Sequence, residues 1–578
     1  MATIWAREFT GGLDTRRVQE ALPGGSLIRA TDCHITRGGD VEERAAFVPL
    51  HALPAGTVGL ANTPTSLVVF GHQAAPGGLP PGVTYQRLQH PDGTTALARV
   101  LSWDLYAGQV YAVGLFADGS LHHFYNAVRV ADWFDGRARA AFAITNGTAG
   151  NQITSIRVGG IEILNVAVSW AGSVAATASA VAAQINSFVS TPDYTAVAID
   201  NTVAIVAAVA GPTPNGLAVQ ITATGLIQTT PSTLAMANGA TTPGTFTPGT
   251  FVRTVGERIL SVSGANLHGS GLGQPTRWTT DATGAFFIDL SRQTSGAEAL
   301  ASIVEYQDLV AIFGERTIPI YNVDADPANN RKSQVLKNTG TVAARSVTQF
   351  GDSDVFYLDE SGVRSLRARD SSNAAFTSDI GSAIDPLILD DLATLPAEAR
   401  ANAISLIEPR DGRFWLCIGP KIYVFSYFTA TKVSAWSTYL PGFSVEDAIV
   451  FRRKVYLRAG NTIYVYGGAG STLQYDATEP EAWLPYLNAD KPTVQKQMYA
   501  FDVVGRGEWE VRCGMQPDDS SISDLLGRVT GTTLNHPGQP AIGASTHFSL
   551  RFRGKGGGVR PAKIASAVIH FNSSDNED

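Results

Sequence analysis

Apolar residues along this chain fall in short runs rich in Val, Ile, Leu, Phe and Tyr, each closed by a polar turn carrying Gly, Asp or Asn. Two copies of the pattern stand between residues 308 and 366. Leu309-Val-Ala-Ile-Phe leads through Gly314-Glu-Arg into Thr317-Ile-Pro-Ile-Tyr, and Val355-Phe-Tyr-Leu leads through Asp359-Glu-Ser-Gly into Val363-Arg-Ser-Leu. β-Branched and aromatic runs on either side of a short turn predict β-hairpins. Similar hairpins begin at Ser66, Gln109, Arg258, Arg413 and Lys454; the one at Gln109 turns on Asp118-Gly119 and the one at Arg413 on Gly419-Pro420. With Asp308 and Asp354 included, the starts are 43, 149, 50, 46, 59 and 41 residues apart.

The interval of 149 holds a change of pattern. Residues 140–250 are almost free of charge and rich in Ala, Thr, Val and Gly. A hairpin is expected around Gly159-Gly160. Val174, Ala178, Val181, Ala182, Ile185 and Phe188 recur at three- and four-residue steps, which predicts a helix over 175–188 with one apolar face. Strands follow at 194–199, 203–209 and 217–222, and the Pro- and Gly-rich stretch 241–249 reads as an exit linker. This is a small α+β domain set into a loop. Without its roughly 105 residues the long interval shrinks to about 44, inside the ~40–50 residue period of propeller blades.

The fold class is therefore mainly β. A β-propeller-like core of six or seven blades carries the inserted α+β domain and a C-terminal β-sandwich. The competing arrangement is a pair of ordinary β-sandwiches with coincidental spacing. The expected organisation is an N-terminal arm with short strands over 1–60, first blades over 61–139, the insert over 140–250, remaining blades over 251–478 and the sandwich over 479–578. Short helices are expected at 382–392 and 397–403, between two blades. Strands of the sandwich are expected at 498–504, 508–513, 546–553 and 564–571, and the N-terminal arm is placed to complete them. The tail from 573 to 578 reads as frayed.

Composition narrows the function classes. The 578 residues carry 43 Lys+Arg against 51 Asp+Glu, a net charge of −8, and only 16% are charged. A sequence-independent DNA binder carries a basic face; this mild acidity suits a surface that polyanions slide past. Three widely spaced cysteines, Cys33, Cys417 and Cys513, suggest neither a disulfide framework nor a thiolate metal site. The N-terminus has no apolar signal core and no run of 18 apolar residues occurs, so a soluble chain made in a reducing cytoplasm is expected.

Candidate chemistry is sparse. His122-His123 are adjacent, and neighbours on a strand face opposite sides, so they do not share a metal. His268-Gly-Ser-Gly-Leu-Gly273 lacks the spacing and following helix of a phosphate loop. Asp324-Ala-Asp326 resembles a cation loop, but Asn329 and Val335 stand where an EF-hand needs Gly and Glu. Glu42-Glu43, Asp390-Asp391 and Asp518-Asp519 are acid pairs read as solvated loop residues; a glycosidase needs converging carboxylates, which sequence cannot show. Arg551, Arg553, Lys555, Arg560 and Lys563 form a basic run with no acid between them. It fits contact with phosphate or an acidic partner, or a charge-protected strand edge. No catalytic, cofactor-binding or metal-binding residue is assigned, and no cofactor is implied.

Several stretches are similar to one family. Phe9-Thr-Gly-Gly-Leu-Asp14 followed by Gly38-Gly-Asp-Val-Glu-Glu-Arg44 resembles the opening of tail nozzle (tail hub) proteins of short-tailed bacteriophages. So do Gly314-Glu-Arg-Thr-Ile-Pro-Ile-Tyr321, Asn322-Val-Asp-Ala-Asp-Pro327 and Phe356-Tyr-Leu-Asp-Glu-Ser-Gly-Val-Arg364, and Ile380-Gly-Ser-Ala-Ile-Asp385 leading to Arg410-Asp-Gly-Arg-Phe-Trp-Leu416. The insert, with Ile156-Arg-Val-Gly-Gly-Ile-Glu-Ile-Leu164 and Pro192-Asp-Tyr-Thr195, resembles a module of phage tail proteins. The resemblance covers about two thirds of the chain, through structural rather than catalytic motifs. It implies a non-enzymatic virion protein of the phage tail, assembled in the host cytoplasm. That protein is a homohexameric ring that contacts the tail adaptor and anchors fibres or spikes. Genomic DNA passes through its lumen without sequence-specific binding, and no segment spans a membrane. The alternatives are a receptor- or glycan-binding tail protein and a propeller-fold glycan hydrolase or lyase.

Overall fold

A computed structural model describes residues 2–133, 136–239, 247–278, 284–294, 296, 298–372 and 379–573. The exit linker read at 241–249 falls largely outside them, as does the tail after 573. The chain is mainly β, with many separate sheets and few helices. It divides into two compact units, a middle unit of residues 53–337 and an end unit built from 1–52 and 338–578.

The middle unit contains a run of small sheets. Leu67–Gly71 pairs antiparallel with Val58–Asn62, and on its other side parallel with Val83–Arg87, so the run starting at Ser66 is the centre of a three-stranded sheet rather than half of a simple hairpin. Three four-stranded antiparallel meanders follow. The first joins Leu97–Tyr106, Gln109–Phe116, Leu121–Tyr125 and Val128–Val130; the second joins Phe251–Val255, Arg258–Ser263, Asn266–Gly269 and Phe286–Asp289; the third joins Leu300–Tyr306, Leu309–Gly314, Thr317–Asn322 and Arg331–Lys337. The first strand of each sheet lies against the first strand of the next. Two-residue turns link first to second strands. In the third meander that turn is Gln307-Asp308, with φ of 49° and 62°. Both residues are left-handed, as a type I′ turn demands, although neither is Gly.

Between the first two meanders sits the insert. Tyr194–Ile199, Thr202–Ala210, Arg137–Asn146 and Gln228–Thr230 form one sheet, and a second is built on Gln152–Val158 and Ala218–Ala223. A helix, Val174–Asn186, starts where Ser173 Oγ accepts from the Ala176 amide at 3.1 Å. It buries Thr177, Ala178, Val181, Ala182 and Ile185 against a core formed within residues 138–236. Phe188 lies just past the helix and is only half-buried.

In the end unit a three-stranded sheet (Thr348–Phe350, Asp354–Asp359, Gly362–Ser365) is followed by the meander Ile404–Glu408, Arg413–Ile418, Lys421–Phe428 and Val433–Tyr439. A last meander, Asp447–Phe451, Lys454–Ala459 and Thr462–Tyr466, takes its fourth strand from Phe47–Ala52. Helices Asp385–Thr394, opened by Pro386, and Ala397–Ala401 lie between two of these sheets in sequence. Of the C-terminal strands, Lys496–Arg506 and Lys563–Ser573 share a separate sheet, whereas Glu508–Gly514 and Ser549–Gly554 continue the sheet of the Ile404–Tyr439 meander, joined to it through Arg29–Thr31 and Glu481–Trp483. The N-terminal segment enters both. Ala2–Arg7 runs antiparallel to Lys563–Ser573 over its whole length, and Arg29–Thr31 pairs with Glu481–Trp483. A short polar-flanked strand such as Ala2–Arg7 has no core of its own; it is ordered by hydrogen bonds to a neighbour already fixed by burial.

Candidate functional site

A charged cavity of about 360 Å³ lies in the end unit. Two hairpin strands, Cys33–Ile35 and Val41–Glu43, place His34 opposite Glu42, with Nε2 and Oε1 3.6 Å apart. The other ring nitrogen of His34 shares a 2.9 Å hydrogen bond with the Tyr439 hydroxyl. Lys563, opposite Glu42 in register, reaches Asp40 at 2.6 Å and Glu42 at 3.9 Å. On the facing wall Glu408 accepts from the amides of Arg410 and Asp411 at 2.7 and 3.0 Å, and Arg413 pairs with Asp411 at 2.7 Å. Burial, helped by the Arg413 charge, lowers the His34 pKa to about 4. Burial alone lifts the Glu42 carboxyl, but His34 and Lys563 outweigh it and hold the group below its ordinary value. Glu43 points the other way from the strand. It is buried, accepts from the Ala562 amide at 2.8 Å, and its pKa is raised by that burial. Every carboxylate of the cavity named here is already engaged by a cation or by backbone amides, an arrangement that locks structure.

The acid pairs read as solvated loops are corrected accordingly. Glu42 and Glu43 lie on a strand, and Asp390-Asp391 lies on a helix, where Asp391 binds Lys421 at 2.6 Å and also the Tyr423 hydroxyl. In both cases flanking apolar residues carry the acids into packed elements. Asp519 does sit in a turn, accepting from the Ser521 amide at 2.9 Å. The basic run is not one patch. Arg551 is buried, bonds the Tyr486 hydroxyl at 2.9 Å and stacks over Trp483, while Arg553 pairs with Glu479, Lys555 with Glu508 and Lys563 with Asp40. Strand alternation scatters consecutive charges and cross-strand acids answer them, which a linear reading misses. Asp324 and Asp326 build a local turn, with Asp326 capping Ala328 at 3.0 Å.

His122 and His123 are both buried and face opposite sides. His123 stacks on Trp133 at 4.4 Å and bonds the Gly249 carbonyl at 2.9 Å; His122 packs against His90 and Phe116. His268 stacks on the exposed Phe287, beside a groove of about 760 Å³ that Phe287 and Tyr321 help to line. Among the described residues no group of three or more His, Cys, Asp or Glu could hold a metal ion, and no helix is long and apolar enough to cross a membrane. All three cysteines are buried and unpaired, and burial pushes Cys417 and Cys513 up to about 12. Native protein is therefore expected to leave a maleimide reagent unconsumed for hours at pH 7.5, with three thiols titrating once denaturant is added.

A cluster invisible to sequence reading lies in the middle unit. His90 is 4% exposed, between Asp92 at 2.8 Å and Asp118 at 3.4 Å. His90-Pro-Asp-Gly and Asp118-Gly are both turn signals; nothing linear indicates that the two turns meet.

No protein-family profile matches this chain, and no curated protein does. Solved structures similar to it include an exo-β-1,3-galactanase from Phanerochaete chrysosporium in complex with galactose, at 9% identity and TM-score 0.20, over 55% of this chain and 95% of that one. Another is the CNH domain of AfRom2, at 13% identity and TM-score 0.23, over 46% and 86%. Likenesses this low assign neither fold nor activity to the chain.

Proposed function

We propose that this chain is a structural virion protein, the tail nozzle of a short-tailed phage, with a propeller-like core of six or seven blades. The observation that carries the reading is the contact of each sheet's first strand with the next sheet's first strand within each unit, together with the strand Phe47–Ala52 supplied to the last meander. In a ring of blades, first strands surround the axis, and a strand borrowed from the start of the chain joins its two ends. The nozzle itself rests on the sequence resemblance. A homohexamer of such rigid subunits forms a conduit for DNA, bound on one side to the tail adaptor and carrying fibres or spikes. Low charge and β-rich walls suit a lumen that must not hold phosphate.

Electron microscopy and mass measurement of the purified protein test this. A sixfold ring with an open channel is expected. A monomer would overturn the nozzle reading, and a monomer retained on immobilised glycan would favour the glycan-binding alternative, for which the exposed Phe287 ring in its groove is the supporting feature.

A further inference from the structure

His90 joins two loops that both touch the inserted domain. On its own loop, the Asp92 carboxylate is fixed by the Thr94 and Thr95 amides at 2.8 and 2.9 Å and by Thr95 Oγ1 at 2.6 Å. The same carboxylate accepts from Asn238 Nδ2, at the insert's exit, at 3.4 Å. On the other side Asp118 is fixed by the Ser120 amide at 3.0 Å and hydroxyl at 2.6 Å. Its neighbour Gly119 packs on the insert so closely that a Cβ there would stand 3.0 Å from Ala204 Cβ. An imidazolium between two carboxylates ties both contacts together. Neutral imidazole has one N–H and can donate to only one of the two carboxylates.

We propose that protonated His90 is a latch that fastens the inserted domain to its host sheets, and that loss of its proton loosens that attachment. The groups facing the site are Asp92, Asp118 and His122, with Arg139 acting on Asp118 and Arg129 on His122. Burial disfavours the charged ring, but Asp118 and Asp92 outweigh it and raise the His90 pKa above 6.5. A group with a raised folded pKa contributes fully below its unfolded value and loses that contribution as pH rises through the folded value. The latch is therefore closed at low pH and opens as pH rises through the raised His90 pKa. Nδ1 also lies 3.3 Å from the Asp92 amide, which can donate to it once the nitrogen is bare, so the Asp92 carboxylate then has a backbone competitor for the ring.

Hydrogen exchange of the full chain tests this, read on peptides 88–96 and 235–239 from pH 6 to 9 after correction for intrinsic rates. Protection is expected to fall about tenfold for each unit separating the folded and unfolded pKa of His90. His90→Gln should remove this pH dependence. Asp92→Asn, which leaves the ring in place, should move the transition to lower pH. The proton on His90 is followed directly by C2 proton exchange of the imidazole. An His90 titrating at or below 6.5, or an unchanged transition in Asp92→Asn, would overturn the proposal even where His90→Gln does not fold.

Discussion

Lowering the pH from 7.5 to 5 is expected to unfold the middle unit before the end unit. Three of its histidines, His122, His123 and His268, are at most 5% exposed, and burial lowers their pKa values from 6.5 to about 3, 3 and 4. A positively charged neighbour, His90, adds to the effect on His122. These imidazoles stabilise the fold in the neutral form. Their contribution is complete above 6.5 and is lost as pH falls from there toward the folded values. One pH unit is worth about 1.4 kcal/mol per group, so at pH 5 each costs about 2 kcal/mol and the three together about 6 kcal/mol. A domain is held by only about 5–15 kcal/mol. The end unit carries one such group in His34 and should outlast the middle unit by about a pH unit. Calorimetry across this range should resolve two transitions that separate on acidification. His122→Phe, in a pocket already walled by Phe116, should move the first midpoint to lower pH. A first transition insensitive to pH between 6.5 and 5 would refute the account.

Replacing Arg44 with Met should cost the end unit about 3–5 kcal/mol, the usual price of orphaning a buried charge. Arg44 is 3% exposed. Its guanidinium donates to Asp32 at 2.7 Å, to Asp476 at 2.9 Å and to the Ala45 carbonyl at 3.0 Å, while lying over the Phe47 ring. It therefore binds the N-terminal segment to the loop after the last meander. Without it Asp32 keeps only backbone donors, among them the Leu440 amide at 2.8 Å. Arg44→Lys should recover part of the loss, because one ammonium cannot serve three acceptors set for a planar fork. Asp32→Asn combined with Arg44→Met should also be less damaging than Arg44→Met alone. Denaturant titration followed by tryptophan fluorescence checks the series; a loss below about 1 kcal/mol for Arg44→Met would show that solvent reaches the site.

What the linear pattern revealed was decided by short-range physics. Apolar runs closed by Gly- or Asp-containing turns identified the central strands of most sheets, such as Leu309–Gly314 with Thr317–Asn322 and Arg413–Ile418 with Lys421–Phe428. Helical spacing of apolar residues identified Val174–Asn186, while its Ser173 cap emerged only in the structure. These elements are buried on both faces or along a stripe, so composition and period betray them. First and fourth strands were harder to read. Leu300–Tyr306 enters its hairpin through Gln307-Asp308, a left-handed turn without Gly, and Arg331–Lys337 is a polar outer strand with a largely exposed face. Tertiary structure alone decided the remainder, because it depends on partners outside the local pattern, in most cases hundreds of residues away. Phe47–Ala52 completes a sheet with Thr462–Tyr466, Ala2–Arg7 lies along Lys563–Ser573, Lys563 neutralises Asp40, and two unrelated turns bring Asp92 and Asp118 to either side of His90. Ladder hydrogen bonds and ion pairs carry no periodic mark in the chain. They exist only once burial has brought the two segments together and removed the water that would otherwise satisfy them.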